Sequence, residues 1–103
     1  MSQQSLDDLA RCREIIDALD IRLLELLNQR TEIVEEIGRI KQHLELAIYE
    51  PKREDQVFAN VLAHNHGPLP PDAVKRIFER IIDEMRTVQK LKIIAGPAKQ
   101  EPC

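Results

Sequence analysis

The chain has 103 residues and a formal net charge of −3, which suits one domain and is short for two. Its 15 basic residues are interleaved with 18 acidic ones and only 3% of residues are aromatic, which excludes the basic, aromatic face of a nucleic-acid-binding domain. It has no apolar run long enough for a membrane span, no secretory signal and no cysteine spacing typical of a disulfide or metal site, so we expect a cytoplasmic protein that binds no membrane.

The first predicted helix covers residues 5–46, which contain no proline and only one glycine. Ser5 is the expected N-cap, and Asp7 and Asp8 in the first turn favour the positive end of the helix dipole. At 1.5 Å per residue the helix is about 63 Å long. One seam of residues, spaced alternately by three and four, is typical of a helix that packs along another helix: Leu9, Cys12, Ile16, Leu19, Leu23, Leu26, Arg30, Ile33, Ile37, Ile40 and Leu44.

Two shorter helices follow, of about 15 and about 21 residues. The second begins at Pro51, which suits a first helical turn, and ends before Gly67. The third follows Pro71 and carries an apolar stripe on one face. The sequence therefore predicts an all-α fold of three helices, one very long, in a single domain over residues 1–92. Residues 93–103 are expected to form a flexible tail.

The long seam predicts an oligomer. Helices two and three are too short to cover a helix of about 63 Å by folding back along it. Large apolar surfaces rarely stay exposed in soluble proteins, and a second copy of the chain is the simplest cover. We therefore expect an intertwined homodimer in which the long helices pack together.

A positive charge interrupts the seam at Arg30, where an apolar residue is expected. A buried ion pair or a side chain that extends its charged end to solvent would explain a single such arginine. Lys41, however, lies only about 20° from Arg30 around the helix. Arg13 lies about 100° from that face and could instead reach the site of a partner chain.

Further polar residues occupy inner faces or helix starts. Arg53 and Glu54 open the second helix, and Gln89 lies on the apolar stripe of the third, four residues after Met85. Each alone is explained as a surface charge or a satisfied core amide. Together with Arg30 they predict a cationic pocket for a small polyanion, one that acts by positioning and electrostatics. The sequence contains no nucleophile beside a base and no cluster of metal ligands, so we expect no metal and no cofactor.

Over about residues 6–92 the chain resembles the all-helical chorismate mutases, in which a long helix and two shorter ones interlock as a homodimer. The resemblance implies that the protein converts chorismate to prephenate on the route to phenylalanine and tyrosine, a pericyclic rearrangement that needs no nucleophile. It leaves open an association with another shikimate-pathway enzyme. The resemblance rests on four segments: "LARCREIIDALDIRLLELLNQR", "EIGRIK", "IYEPKRE" and "RIFERIIDEMRTVQ".

The resemblance also implies roles for the charged residues. Arg30 and Arg13 of the other chain would bind the two carboxylates of chorismate. Lys41 and Gln89 would donate hydrogen bonds to the ether oxygen, which gains negative charge as its bond to carbon breaks.

The remaining implied roles concern the ring hydroxyl of chorismate. Glu54 would accept a hydrogen bond from it, helped by the backbone around Glu50, and Arg53 would balance the charge of the pocket. Glu50 stands where the family usually has aspartate. Met85 stands where some members have a serine that contacts a substrate carboxylate.

Two other functions are compatible with the same pattern. One is the related isochorismate-pyruvate lyase, which shares the fold and much of the cationic pocket. Glu54 argues against it, because the lyases tend to have an apolar residue after the arginine that corresponds to Arg53. The other is a non-catalytic helical dimerisation or regulatory module, which leaves Arg30, Lys41 and Gln89 unexplained on inner faces.

Overall fold

The structure, a computed structural model, describes residues 2–95, with side chains described for residues 2–92. Three helices make up the fold: α1 at Gln3–His43, α2 at Pro51–Ala63 and α3 at Pro71–Ala95. Within the described residues there is no strand. The predicted all-α fold of three helices, the first much the longest, is confirmed.

The ends of the helices differ in detail from the prediction. α2 ends at Ala63, three residues before the predicted boundary at His66, and α3 continues to Ala95. Residues 93–95, which we placed in the tail, are therefore helical. The rest of the predicted tail, 96–103, lies outside the described residues.

The start of α1 shows that the predicted N-cap was wrong. The helix begins at Gln3 rather than after Ser5. The Ser2 hydroxyl oxygen accepts the backbone N–H of Ser5 at 3.0 Å, and the Ser2 carbonyl accepts that of Leu6 at 3.2 Å. Ser2 thus satisfies an N–H that has no partner within the helix, which is the function of an N-cap. As a result, Asp7 and Asp8 lie beyond the first turn.

The end of α1 is also earlier than predicted, at His43 rather than near Leu46. Two backbone hydrogen bonds close it, from Leu46 N–H to the Lys41 carbonyl at 2.7 Å and from Glu45 N–H to the Gln42 carbonyl at 3.2 Å. Glu45 has a φ of 58°. This is the Schellman arrangement, in which a residue in the left-handed region turns the chain out of the helix. Glycine usually occupies that position, so the sequence did not signal the stop.

The described chain separates into two compact units, Met1–Glu32 and Ile33–Cys103. The first consists of the N-terminal part of α1. Nine of its large apolar side chains are between 43% and 59% exposed. So much exposed apolar area is unusual for the surface of a stable soluble protein. The exposed residues are Leu6, Leu9, Ile15, Ile16, Leu19, Ile21, Leu23, Leu24 and Leu26.

The second unit contains the end of α1, α2 and α3. Its buried side chains lie on one face of α3, at Val74, Ile82, Met85 and Gln89, as the apolar stripe predicts. From α1 it buries Gly38. No helix among the described residues is long and apolar enough to cross a membrane.

Candidate functional site

Lys41 lies in the last turn of α1, where the helix dipole favours a cation. Its Nζ donates a hydrogen bond to the Ile48 carbonyl oxygen at 3.0 Å and forms an ion pair with Glu50 Oε1 at 3.1 Å. The side chain is only 13% exposed. An ammonium group has three N–H donors, so these contacts orient the group and leave one donor for a ligand.

Glu50 contributes more than the backbone contact that the resemblance implies. Its carboxylate pairs with Lys41, and its carbonyl oxygen accepts the backbone N–H groups of Arg53 at 3.0 Å and Glu54 at 3.1 Å. These bonds close the first turn of α2, which starts at Pro51. Glu50 therefore joins the start of α2 to the end of α1. Arg53 is exposed, with Nη1 donating to Gln56 Oε1 at 3.4 Å.

Glu54 projects from the first turn of α2, where the helix dipole favours an anion. Its Oε2 accepts a short hydrogen bond from Arg86 Nη2 of α3, and the two side chains are 23% and 26% exposed. Arg86 Nη1 also lies 3.5 Å from Asp83 Oδ1, and the guanidinium lies 4.9 Å from the centre of the Tyr49 ring. The hydrogen bond to Glu54 raises the pKa of Arg86, against the lowering effect of burial.

Sequence reasoning missed Arg86. The signal was present, because Arg86 follows the buried Ile82 by four residues and so lies on the same face of α3. A charge on a buried face is the pattern that identified Arg30. Because Arg86 pairs with Glu54, it belongs to the same cluster as the predicted site residues.

Gln89 is buried on α3, with 7% of its surface exposed. Its Nε2 donates a hydrogen bond to the Val34 carbonyl oxygen of α1 at 2.9 Å. A carboxamide has two N–H donors, so this bond orients the group and leaves the second N–H for a ligand. A Cβ added at Gly38 would lie 3.4 Å from Gln89 Cγ, which shows how closely α3 approaches α1 here. Met85, one turn earlier, is buried beside it on the same face.

The second unit thus holds most of the predicted site residues: Lys41 on α1, Glu50 before α2, Arg53 and Glu54 on α2, and Met85 and Gln89 on α3. Arg13 and Arg30 lie in the first unit, where Arg13 is exposed and Arg30 is half-buried. Their participation in the site stays a prediction.

The chemistry available to the second-unit cluster is electrostatic. An ammonium, an amide and a guanidinium supply N–H donors, and the Glu54 carboxylate supplies an acceptor. Donors that are already held in place stabilise developing negative charge without reorganising during the reaction. Among the described residues no group of three or more His, Cys, Asp or Glu side chains could hold a metal ion.

A separate groove of about 290 Å³ lies between the end of α2 and the start of α3. It contains none of the predicted site residues, and its walls are mostly apolar. The groove is therefore distinct from the candidate site. It is lined by Val61, His64, Asn65, Leu69, Val74, Ile77 and Phe78.

Comparisons with known proteins agree with the sequence resemblance. Residues 12–90 match the family model for chorismate mutase type II. A bifunctional chorismate mutase/prephenate dehydratase of Neisseria gonorrhoeae is 36% identical over 99 residues, which are 94% of this chain and 27% of that protein. The chain thus spans 27% of the length of this curated relative.

Solved structures of chorismate mutases have the same fold as this chain. A chorismate mutase structure (form II) from Thermus thermophilus superposes with a TM-score of 0.79 at 31% identity, covering 81% of this chain and 94% of that one. A chorismate mutase from Helicobacter pylori, solved in complex with prephenate, has a TM-score of 0.80 at 28% identity, covering 92% of this chain and 99% of that one.

Proposed function

This chain belongs to the type II chorismate mutase family, and on that basis we propose that it catalyses the rearrangement of chorismate to prephenate in phenylalanine and tyrosine biosynthesis. The proposal is supported by the similar chorismate mutase of Helicobacter pylori, whose structure contains prephenate. One observation of the site carries it: Lys41 and Gln89 each present an oriented, nearly buried N–H donor.

The reaction is a concerted exchange of bonds within one molecule. The ether carbon–oxygen bond of chorismate breaks while a carbon–carbon bond forms, with no proton taken up or released. Negative charge develops on the ether oxygen as its bond breaks. Lys41 and Gln89 donate to that oxygen. They stabilise the transition state more than the ground state because the oxygen is more negative there, and protein contacts already hold both donors in place.

The other side chains orient the substrate. Glu54 accepts the hydrogen bond of the ring hydroxyl, helped by the backbone around Glu50, while Arg53 balances the charge of the pocket. Holding the substrate in a compact, reactive conformation removes much of the entropic part of the barrier. Met85 supplies an apolar wall in place of the polar contact that some family members have at this position.

Two arginines of the first unit complete the proposed site. Arg30 binds one carboxylate of chorismate, and Arg13 of a second copy binds the other. This arrangement requires a homodimer, which the exposed apolar face of α1 supports. We propose a cytoplasmic location, because the two cysteines have no spacing typical of a disulfide.

Bifunctional relatives support a further proposal about partners. The relative from Neisseria gonorrhoeae combines chorismate mutase and prephenate dehydratase in one protein. An enzyme that acts on prephenate is therefore the partner that we propose for this chain, whether joined to it or associated with it.

The direct test follows the loss of chorismate absorbance with purified protein, and identifies the product by NMR. We expect prephenate from chorismate and no pyruvate from isochorismate. Arg30→Ala should lose about 100-fold or more in kcat/KM, because hydrogen bonds to charged groups contribute about 1.5–3 kcal/mol each. A folded parent protein that leaves chorismate unchanged would overturn the proposal, and pyruvate release would indicate the lyase.

A further inference from the structure

The family resemblance implies no role for Arg86, although it is a charged, partly buried side chain of the cluster. Its guanidinium faces three groups: the Glu54 carboxylate of α2, the Asp83 carboxylate one turn earlier on α3, and the ring of Tyr49 from the segment before α2. Contacts from three parts of the second unit therefore converge on this one side chain.

The three contacts are not equivalent. Asp83 is 60% exposed and lies at the longer distance of 3.5 Å, so solvent screens its interaction with Arg86. Glu54 and Arg86 are each about three-quarters covered and share a direct hydrogen bond. The Tyr49 ring lies against the guanidinium, which is favourable for a cation and restricts its orientation. Arg86 thus acts mainly on Glu54.

We propose that Arg86 is a positioning residue for Glu54, a role that rests on the proposed chorismate mutase function. Arg86 holds Oε2 of the Glu54 carboxylate. The second oxygen, Oε1, is then fixed in place to accept the hydrogen bond of the substrate's ring hydroxyl. Arg86 does not itself contact the substrate. Its effect on catalysis passes through the Glu54 carboxylate.

A planar guanidinium suits this task better than an ammonium. Its N–H groups point in fixed directions within one plane, so a hydrogen bond to it fixes the orientation of a carboxylate. Lysine has a compact charge on a flexible stem and attracts the carboxylate without orienting it. The structure therefore explains an arginine at this position of α3, where the guanidinium contacts both the Tyr49 ring and the Glu54 carboxylate.

A double-mutant cycle tests the proposal with Arg86→Met, Glu54→Ala and the double variant. Hydrogen bonds to charged groups are commonly worth about ten- to 100-fold, so we expect losses in kcat/KM of this order for Glu54→Ala and of about tenfold for Arg86→Met. In the Glu54→Ala background, Arg86→Met should cause no further loss. Such non-additivity is the result for two residues that act through one contact.

Two controls separate positioning from stability. Asp83→Asn removes the other acidic neighbour of Arg86 and should leave kcat/KM unchanged. Arg86→Lys keeps the charge and should recover only part of the activity lost in Arg86→Met. If Arg86→Met does not fold, Arg86→Lys replaces it in the cycle, with circular dichroism and thermal melting measured for each variant.

Three results would overturn the proposal. Additive losses in the cycle would mean that Arg86 acts independently of Glu54. A lowered melting temperature with unchanged kcat/KM in Arg86→Met would mean that the ion pair between Arg86 and Glu54 only stabilises the fold. Full activity in Arg86→Lys would show that charge alone suffices. Each of these requires an active parent, whereas a folded parent without chorismate mutase activity would overturn the proposed function itself.

Discussion

At the scale of single residues, Gln89 gives the sharpest test of the proposed chemistry. An amide donates hydrogen bonds at any pH, whereas a carboxylate donates only when protonated. In Gln89→Glu the ionised carboxylate would face both the Val34 carbonyl oxygen, which now accepts a bond from Gln89 at 2.9 Å, and the ether oxygen. Burial raises the pKa of the introduced carboxyl group, and nearby cations lower it. We therefore expect the variant to be nearly inactive above that pKa and to recover as pH falls below it.

This prediction is checked by measuring kcat/KM for Gln89→Glu and for the parent from about pH 4.5 to about pH 8. The parent should show no rise on the acid side. Circular dichroism at each pH verifies that both proteins remain folded. Parallel profiles would mean that Gln89 does not donate to the ether oxygen.

Gly38 offers a second test of the same group, without changing its chemistry. A Cβ at this position would lie 3.4 Å from Gln89 Cγ, which is the limit of an ordinary contact. Gly38→Ala should therefore be tolerated, and its better helix propensity, worth about 1 kcal/mol, offsets any crowding. Gly38→Val adds two methyl groups beyond that Cβ, which should crowd and displace Gln89, at a cost of about 1–3 kcal/mol in stability.

The measurement compares kcat and melting temperature for the two Gly38 variants. We expect kcat to fall in Gly38→Val and to stay near the parent value in Gly38→Ala. Equal kcat in both, with the parent's melting temperature, would show that Gln89 adjusts without loss and that its position is not set by this contact.

At the scale of an element, the end of α1 carries strain that a substitution can relieve. Glu45 has a φ of 58°, in a region that costs most residues about 1–2 kcal/mol and costs glycine nothing. Glu45→Gly should raise the free energy of unfolding by up to about 1 kcal/mol, since the greater freedom of glycine in the unfolded chain offsets part of the gain. Glu45→Ala keeps a Cβ and should give no such gain.

Urea denaturation of the two Glu45 variants, read by circular dichroism, checks this expectation. The pair separates the backbone effect from the loss of the glutamate side chain, because both variants remove that side chain. If Glu45→Ala stabilises as much as Glu45→Gly, then the side chain and not the backbone is the source of the gain. We expect kcat/KM to stay unchanged, since Lys41 keeps its contacts with Ile48 and Glu50.

At the scale of the whole molecule, the apolar face of α1 predicts that the folded protein is a dimer. Side chains that are 43–59% exposed in one chain are expected to be covered by a second copy, because their burial is the main source of stability available to this helix. Sedimentation at working concentration checks the prediction. A folded and active monomer would contradict both the dimer and the shared sites.

Shared sites make a specific prediction for mixtures of variants. An Arg13→Ala chain paired with an Arg30→Ala chain forms one site with both arginines and one site with neither. After random subunit exchange half of the dimers are mixed, so about a quarter of the sites should regain activity. Each variant alone should stay nearly inactive. No recovery after verified exchange would mean that Arg13 and Arg30 serve the same chain's site.

Local patterns in the sequence determined the helices of this protein and which side chains lie on their buried faces. The alternating three- and four-residue spacing of apolar side chains identified the helices, and prolines at positions 51 and 71 marked two of their starts. The same periodicity placed Gln89 on a buried face, which the structure confirms. Helical periodicity is a property of neighbouring residues, so one sequence is enough to read it.

Only the tertiary structure decided which charged and polar groups pair with each other. Glu50 pairs with Lys41, Arg86 with Glu54, and Gln89 with the Val34 carbonyl. Each contact joins residues from different elements, and the last two join residues more than thirty positions apart. Periodicity tells which face of a helix a residue occupies, but not which residue of another element lies opposite. That depends on how the helices pack and on how the segment between α1 and α2 turns, with Glu45 in the left-handed region.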